Sequence, residues 1–124
     1  MKVLLSIKPK FAKEIFSGHK KYEYRKVIFK RREIKTVVLY ATMPVGKIVG
    51  EFEIDSILEE TPLEIWNKTK DYSGITEDFF FSYYKGKDKS FAIKIKSFVQ
   101  YRIPVCPYSL FPNFKAPQSF QYIG

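Results

Sequence analysis

Apolar and polar positions along this chain change period several times, and the changes mark its elements. Val3-Leu4-Leu5-Ser6-Ile7 is a short β-rich run that predicts a buried first strand. Lys8-Pro9 ends it, and proline is accepted in the first turn of a helix. Phe11, Ala12, Ile15 and Phe16 then recur at helical spacing, with Lys10, Lys13 and Glu14 opposite. Gly18 is placed to end that helix, where a positive φ carries no steric cost. An extended stretch through Tyr24 and Arg25 follows, and Val27-Ile28-Phe29 continues or turns from it. Thr36-Val37-Val38-Leu39-Tyr40-Ala41-Thr42 is apolar on both faces, which predicts a central strand. After the turn Met43-Pro44-Val45-Gly46, Lys47 to Ile54 reads as a strand with Ile48, Phe52 and Ile54 on one face. Gly46 and Gly50 suggest that it bends.

The second half opens with Thr61-Pro62-Leu63-Glu64, a helix start with threonine at the cap and glutamate three residues on. Asp71-Tyr72-Ser73-Gly74 breaks this helix, and Thr76-Glu77-Asp78 starts another that runs from Phe79 to Tyr84 and closes at Gly86. Its aromatics cover more than one face, which predicts a sandwiched helix. Ser90 to Val99 is a strand with Phe91, Ile93 and Ile95 inward, and Tyr101-Arg102-Ile103 can extend it. From Pro104 onward prolines interrupt regular structure, yet Phe120 and its neighbours give the tail apolar anchors. Five to six strands and about three helices, not in strict alternation, define an α+β fold: a small, mixed, strongly bent sheet or β-barrel with helices packed at its ends. The 124 residues make one domain, with a core over about 1–103 and a proline-rich tail, 104–124, packed on it.

Composition narrows the partner. The net charge of +9 favours a polyanion, either nucleic acid or a nucleotide, over an anionic membrane surface. Nine tyrosines supply faces that suit a core edge or a nucleobase equally well. The one cysteine, Cys106, permits no intramolecular disulfide, reads as structural, and fits a reducing cytoplasm. The one histidine, His19, excludes a His-rich metal site, so no metal and no cofactor are expected. No apolar run reaches membrane-spanning length, which predicts a soluble, cytoplasmic protein; its oligomeric state, monomer or weak dimer, is left open.

Chemistry concentrates in one stretch, Gly18-His19-Lys20-Lys21-Tyr22-Glu23-Tyr24-Arg25-Lys26. Side chains alternate in an extended segment, so Glu23 and Arg25 share one face while Tyr22 and Tyr24 take the other. A carboxylate two residues from a guanidinium pairs with it or shares a bound polar ligand. Lys20 adds a donor or, if desolvated, a base. The plainer alternative is a solvated arm with one surface ion pair.

The spacing Gly18, Lys20, Glu23, Arg25 reads G-x-K-x-x-E-x-R, and with it the chain resembles the ASCH family. The Ser6-Ile7-Lys8-Pro9 opening, the Val38-to-Thr42 strand and a tryptophan-bearing helix support the likeness over roughly residues 1–100. The tail Ala116-Pro117-Gln118-Ser119-Phe120 resembles that of stand-alone prokaryotic members, often labelled transcriptional regulators. The resemblance implies a PUA-like fold and a cleft beside the motif that binds RNA or nucleotides. Some members look like amidohydrolases of N4-acetylcytidine, with a lysine base at the position of Lys20 and a threonine nucleophile where Glu23 stands here. That departure puts a covalent route in doubt, because a carboxylate attacking an amide would form an anhydride.

Two function classes follow. The first is a binding module for RNA, a nucleotide or a modified nucleoside. Lys8, Lys20, Arg25 and Lys26 would supply phosphate or base-edge contacts, and Tyr22, Tyr40 and Tyr72 the stacking faces. Glu23 would accept from a base amine, and Thr42, Ser73, Gln118 and Ser119 are further pocket residues. The second is a hydrolase of a modified nucleoside, or a metal-independent ribonuclease, with Lys20 and Glu23 as the catalytic pair. Lys30-Arg31-Arg32 reads equally as a solvated turn or a phosphate contact. A separate DNA-binding helix pair is not visible.

Overall fold

The structure, a computed structural model, describes all 124 residues. Six strands and four α-helices follow one another as β1 (Lys2–Ile7), α1 (Pro9–Phe16), β2 (Tyr22–Arg25), β3 (Thr36–Ala41) and β4 (Lys47–Glu60), then α2 (Pro62–Thr69), α3 (Glu77–Tyr83), β5 (Ser90–Val105), α4 (Pro107–Leu110) and β6 (Phe120–Ile123). A single 3-10 turn, Lys70–Tyr72, follows α2. The strands form one mixed sheet in the order β2-β5-β4-β3-β1-β6. β1 lies parallel to β3 and antiparallel to β6, and the other pairs are antiparallel.

Burial explains why β1 and β3 are central. Val3, Leu5, Val37 and Leu39 pack with Ala12 and Ile15 of α1, and Leu4, Val38 and Tyr40 pack on the other face against Phe114 of the tail. Both faces are covered, so both strands read as near-continuous apolar runs, broken in β1 only by Ser6. A third cluster joins Tyr24 and Ala92 to Ile65 and Trp66 of α2 and to Phe80 and Tyr84 around α3. Irregularities in the β4–β5 pairing near Gly50 and Ile54 bend this long antiparallel pair. A β-carbon on Gly50 would collide with the Val99 carbonyl of β5 and sit 2.6 Å from the Phe16 ring, so glycine is required where β4 meets β5 beneath α1.

The helix starts behave as their residues dictate. Thr61 accepts from the Glu64 amide and Thr76 from the Phe79 amide. Gly18 and Gly86 both take positive φ just past helix ends.

Several boundaries differ from the sequence reading. β4 continues past Ile54 to Glu60, and β5 runs through Pro104 to Val105. β2 covers only Phe91 to Lys94 of β5, so Pro104 falls where β5 has a partner on one side alone and its missing N–H is not needed. The tail packs on the body as expected, and it also forms α4 and β6. Cys106, read as structural, is exposed, and its carbonyl accepts from the Ser109 hydroxyl at the start of α4.

The sheet curls, but its ladder does not close into a full barrel. β2 and β6 stand at its two ends with no backbone hydrogen bond between them. Side chains span the seam instead. Arg25 Nη2 of β2 donates to the Ser6 carbonyl of β1 at 2.7 Å, and the Lys30 amide donates to Tyr122 Oη of β6 at 3.1 Å.

Candidate functional site

A cavity of about 350 Å³ opens along this seam. The end of β1 contributes Ser6, Ile7 and Lys8, and the end of β3 leads to Thr42. β2 and the residues before it contribute Lys20, Glu23, Tyr24 and Arg25. Phe11 of α1, with Ile75, Phe79 and Tyr83 in and before α3, forms an apolar wall, and Gln118 closes the tail side.

Lys20 is the organising group. It is only 2% exposed, and its Nζ donates to the Ser73 carbonyl at 3.0 Å. Nζ lies 3.8 Å from Glu23 Oε1, 4.6 Å from the centre of the Tyr24 ring and 5.4 Å from that of Phe11. Burial favours the neutral amine and lowers the pKa from 10.5 to about 8; the nearby Arg25 charge adds to this, and the Glu23 carboxylate opposes it. The stem is fixed from outside by Gly74, whose φ is +67° and where a β-carbon would come 2.5 Å from Lys20 Cβ. The Lys21 amide donates to the Tyr72 carbonyl at 2.9 Å and ties the same loop to the motif.

Glu23 and Arg25 form the second layer. Arg25 Nη2 holds Glu23 Oε2 at 2.8 Å and the Ser6 carbonyl at 2.7 Å. Both side chains are nearly buried, so neither ion is a solvated surface charge. Arg25 Nε is buried with no acceptor in the chain. Two hydroxyls pin the strand: Tyr84 Oη donates to the Arg25 carbonyl, and Tyr24 Oη pairs with Thr69 Oγ1 at 2.7 Å. The result is a buried amine, a carboxylate and a guanidinium beside aromatic rings, able to bind a flat polar ligand and to move a proton at Lys20.

The structure brings Lys8, Lys20, Glu23, Arg25, Thr42 and Gln118 together on this cavity. Ser73 adjoins it through its carbonyl, while its hydroxyl donates to the Ile75 carbonyl at 2.9 Å. Lys26 lies on the rim, over the Tyr83 ring at 4.6 Å. The other sequence candidates stand elsewhere. Tyr22 packs against the α2–α3 cluster, and Tyr40 against Phe114 with ring centres 5.1 Å apart. Tyr72 is half exposed beneath Lys21, and Ser119 gives only its carbonyl to the Ser6 amide. Arg31 and Arg32 of the basic loop pair with Glu33 and Glu59. Tyr24 also lines the cavity, with Lys20 Nζ over its ring.

Sequence reasoning missed Ser6, Ile7, Phe11, Tyr24, Ile75, Phe79 and Tyr83 as lining residues. The four-residue step from Phe79 to Tyr83 was the available signal, since it stacks the two rings on one helix face, 6.3 Å between centres. No group of three or more His, Cys, Asp or Glu is placed to hold a metal ion. No helix is long and apolar enough to cross a membrane.

A curled mixed sheet with helices on its flanks and a basic, aromatic cavity at the seam describes a PUA-like α+β domain. The chain belongs to the ASCH domain family, whose pattern matches residues 5–100. It is similar to an ASCH domain-containing ribonuclease of Zymomonas mobilis, 26% identical over 97% of this chain and 82% of that one. It is 33% identical, over 98% of its length, to part of a protein named large ribosomal subunit protein uL22 in Ureaplasma parvum, of which it spans only 39%. The crystal structure of ASCH from Zymomonas mobilis superposes with a TM-score of 0.91 at 25% identity, covering 99% of this chain and 87% of that one.

Proposed function

We propose that this protein binds single-stranded RNA by drawing one nucleotide out of its stack into the seam cavity. One observation carries this reading: the buried Lys20, Glu23 and Arg25 set and the Phe11, Phe79 and Tyr83 rings line the same cavity. Single-stranded RNA is read by stacking its bases on aromatic faces and bonding their edges. Glu23 offers a carboxylate to a base amine, and Lys20 and Arg25 offer donors to carbonyl or phosphate oxygens. A volume of about 350 Å³ suits one nucleotide and not a duplex.

A second reading, RNA cleavage by the same cavity, is favoured by the lowered pKa of Lys20 and by the Zymomonas relative named as a ribonuclease. A neutral amine near pH 8 can take the proton of a ribose 2′-hydroxyl. The resulting oxygen attacks the adjacent phosphorus, the P–O5′ bond breaks, and the leaving 5′-oxygen picks up a proton, giving a 2′,3′-cyclic phosphate and a 5′-hydroxyl. Arg25 and Lys8 supply the charge that meets the phosphate. Glu23 is engaged by Arg25 at 2.8 Å, so its role is to orient the guanidinium; that engagement counts against Glu23 as the water-activating base of an N4-acylcytidine amidohydrolase.

Incubation with a panel of single-stranded RNAs and N4-acetylcytidine, with binding by calorimetry and products by mass spectrometry, tests both readings. RNA binding that Thr42→Trp abolishes by filling the cavity supports the first. Cyclic-phosphate ends that vanish in Lys20→Ala, with RNA still bound, support the second. Tight binding of RNA that Thr42→Trp leaves intact overturns the cavity as the site.

A further inference from the structure

The rim of the cavity carries cations that a free base would not need. Phe11, Phe79 and Tyr83 form a row, with neighbouring ring centres 5.3 and 6.3 Å apart. Lys8 and Lys10 lie over its first two rings, at 5.4 Å and 5.6 Å from the centre of Phe79. Lys26 lies over the last ring, 4.6 Å from the centre of Tyr83. All three lysines are exposed, and none has a carboxylate within ion-pair distance.

Resting on the RNA reading above, we infer that the site is built for a nucleotide inside a strand, with Lys8 and Lys10 at one end of the aromatic row and Lys26 at the other taking the phosphates that flank it. A ring face holds an ammonium in place and leaves its outer hydrogens free for oxygen acceptors. A phosphate can therefore recruit these lysines without breaking an ion pair. Arg31, Arg32, Lys68 and Lys89 are different, since each would have to release a carboxylate first. The only carboxylate lining the cavity, Glu23, is neutralised by Arg25, so no free negative charge in its wall opposes the backbone of the strand. The base then enters beside Lys20 while the chain runs across the rings. Free nucleosides, which lack both flanking phosphates, lose these contacts.

Anisotropy of a fluorescein-labelled single-stranded RNA of mixed sequence, followed across KCl concentrations, tests this. The four free nucleosides serve as competitors, and Lys35→Ala replaces an exposed lysine that also lacks a carboxylate partner. Lys8→Ala and Lys26→Ala are each expected to lower the slope of log K against log salt by about 0.7, with Lys35→Ala unchanged. Nucleosides are expected to compete at least about a hundredfold more weakly than unlabelled RNA, because they release no counterions. Slopes in Lys8→Ala and Lys26→Ala equal to wild type, with binding still lost in Thr42→Trp, overturn the strand inference and leave the RNA reading standing. Nucleosides that compete as well as RNA overturn it in the same way. No RNA binding by the wild-type protein overturns both.

Discussion

Arg25 on β2 donates to the carbonyl of Ser6 on β1 across 2.7 Å, although these two strands share no ladder hydrogen bond. The same nitrogen holds Glu23 at 2.8 Å, so one side chain ties the end strand β2 both to β1, next to the other end of the sheet, and to the Lys20–Glu23 pair in the cavity. Arg25→Ala leaves Glu23 buried beside Lys20 with its stronger partner gone. Removing one member of a buried pair costs about 3–5 kcal/mol, and a loss of this size is expected in urea denaturation. The double variant Glu23→Gln/Arg25→Met removes both charges together and is expected to recover a large part of that loss. A change under about 1 kcal/mol in Arg25→Ala, as for a surface pair, would contradict the bridging role.

The lowered pKa of Lys20 makes stability depend on pH with a definite sign. Its folded value is about 8 against 10.5 when exposed, so between these limits the unfolded chain binds more protons. Stability therefore rises with pH through that window, by on the order of 2 kcal/mol between pH 8 and 10. Above about pH 10 the buried tyrosines act in the opposite direction. Burial raises the pKa of Tyr24, Tyr83 and Tyr84, so their ionisation favours the unfolded chain. The urea midpoint is expected to climb from pH 8 to 10 and then fall. In Lys20→Met the climb is expected to disappear.

Gly74 sets the lysine. Alanine there meets both a φ of +67° and the Lys20 stem, so Gly74→Ala is expected to cost about 1–3 kcal/mol. It also pushes Lys20 off the Ser73 carbonyl, so the pH-dependent climb in the urea midpoint should shrink. A purely backbone effect would lower the midpoint equally at every pH, which separates the two outcomes.

Much of this arrangement is legible from the residues alone. The β1 and β3 runs betray two covered faces, and the Thr61 and Thr76 caps fix where helices begin. The alternation from Glu23 to Arg25 and the position of Lys20 indicate a polar cluster before any fold is known. What stays hidden depends on closure in three dimensions. Nothing local marks Ser6 as a seam residue, because its carbonyl meets Arg25 only after the sheet curls. Phe11 reads as the apolar face of an amphipathic helix and Phe79 as one aromatic of a sandwiched helix, and only the meeting of α1 with α3 turns them into a cavity wall. Tyr22 and Tyr40 stand in apolar clusters and Tyr72 half exposed beneath Lys21, none of them in the cavity wall, because a tyrosine near a motif suits a core edge as readily as a stacking face.

On the cleavage reading, Lys20→Arg separates binding from the proton transfer assigned to Lys20. Arginine keeps the positive charge but does not titrate near pH 8. RNA affinity is expected to change by less than about tenfold, while the cleavage rate falls by at least about a hundredfold, the usual contribution of a positioned base. Its pH–rate profile is expected to lose the rise near 8. A variant that cleaves at the wild-type rate would assign proton transfer to another group.

The most direct measurement is the chemical-shift map of the labelled protein titrated with a short single-stranded RNA. The account predicts that the largest changes fall on Lys20, Glu23, Tyr24, Thr42, Ile75 and Gln118, around the seam cavity. Changes confined to the basic loop at Lys30, Arg31 and Arg32, with the cavity residues unmoved, would contradict it.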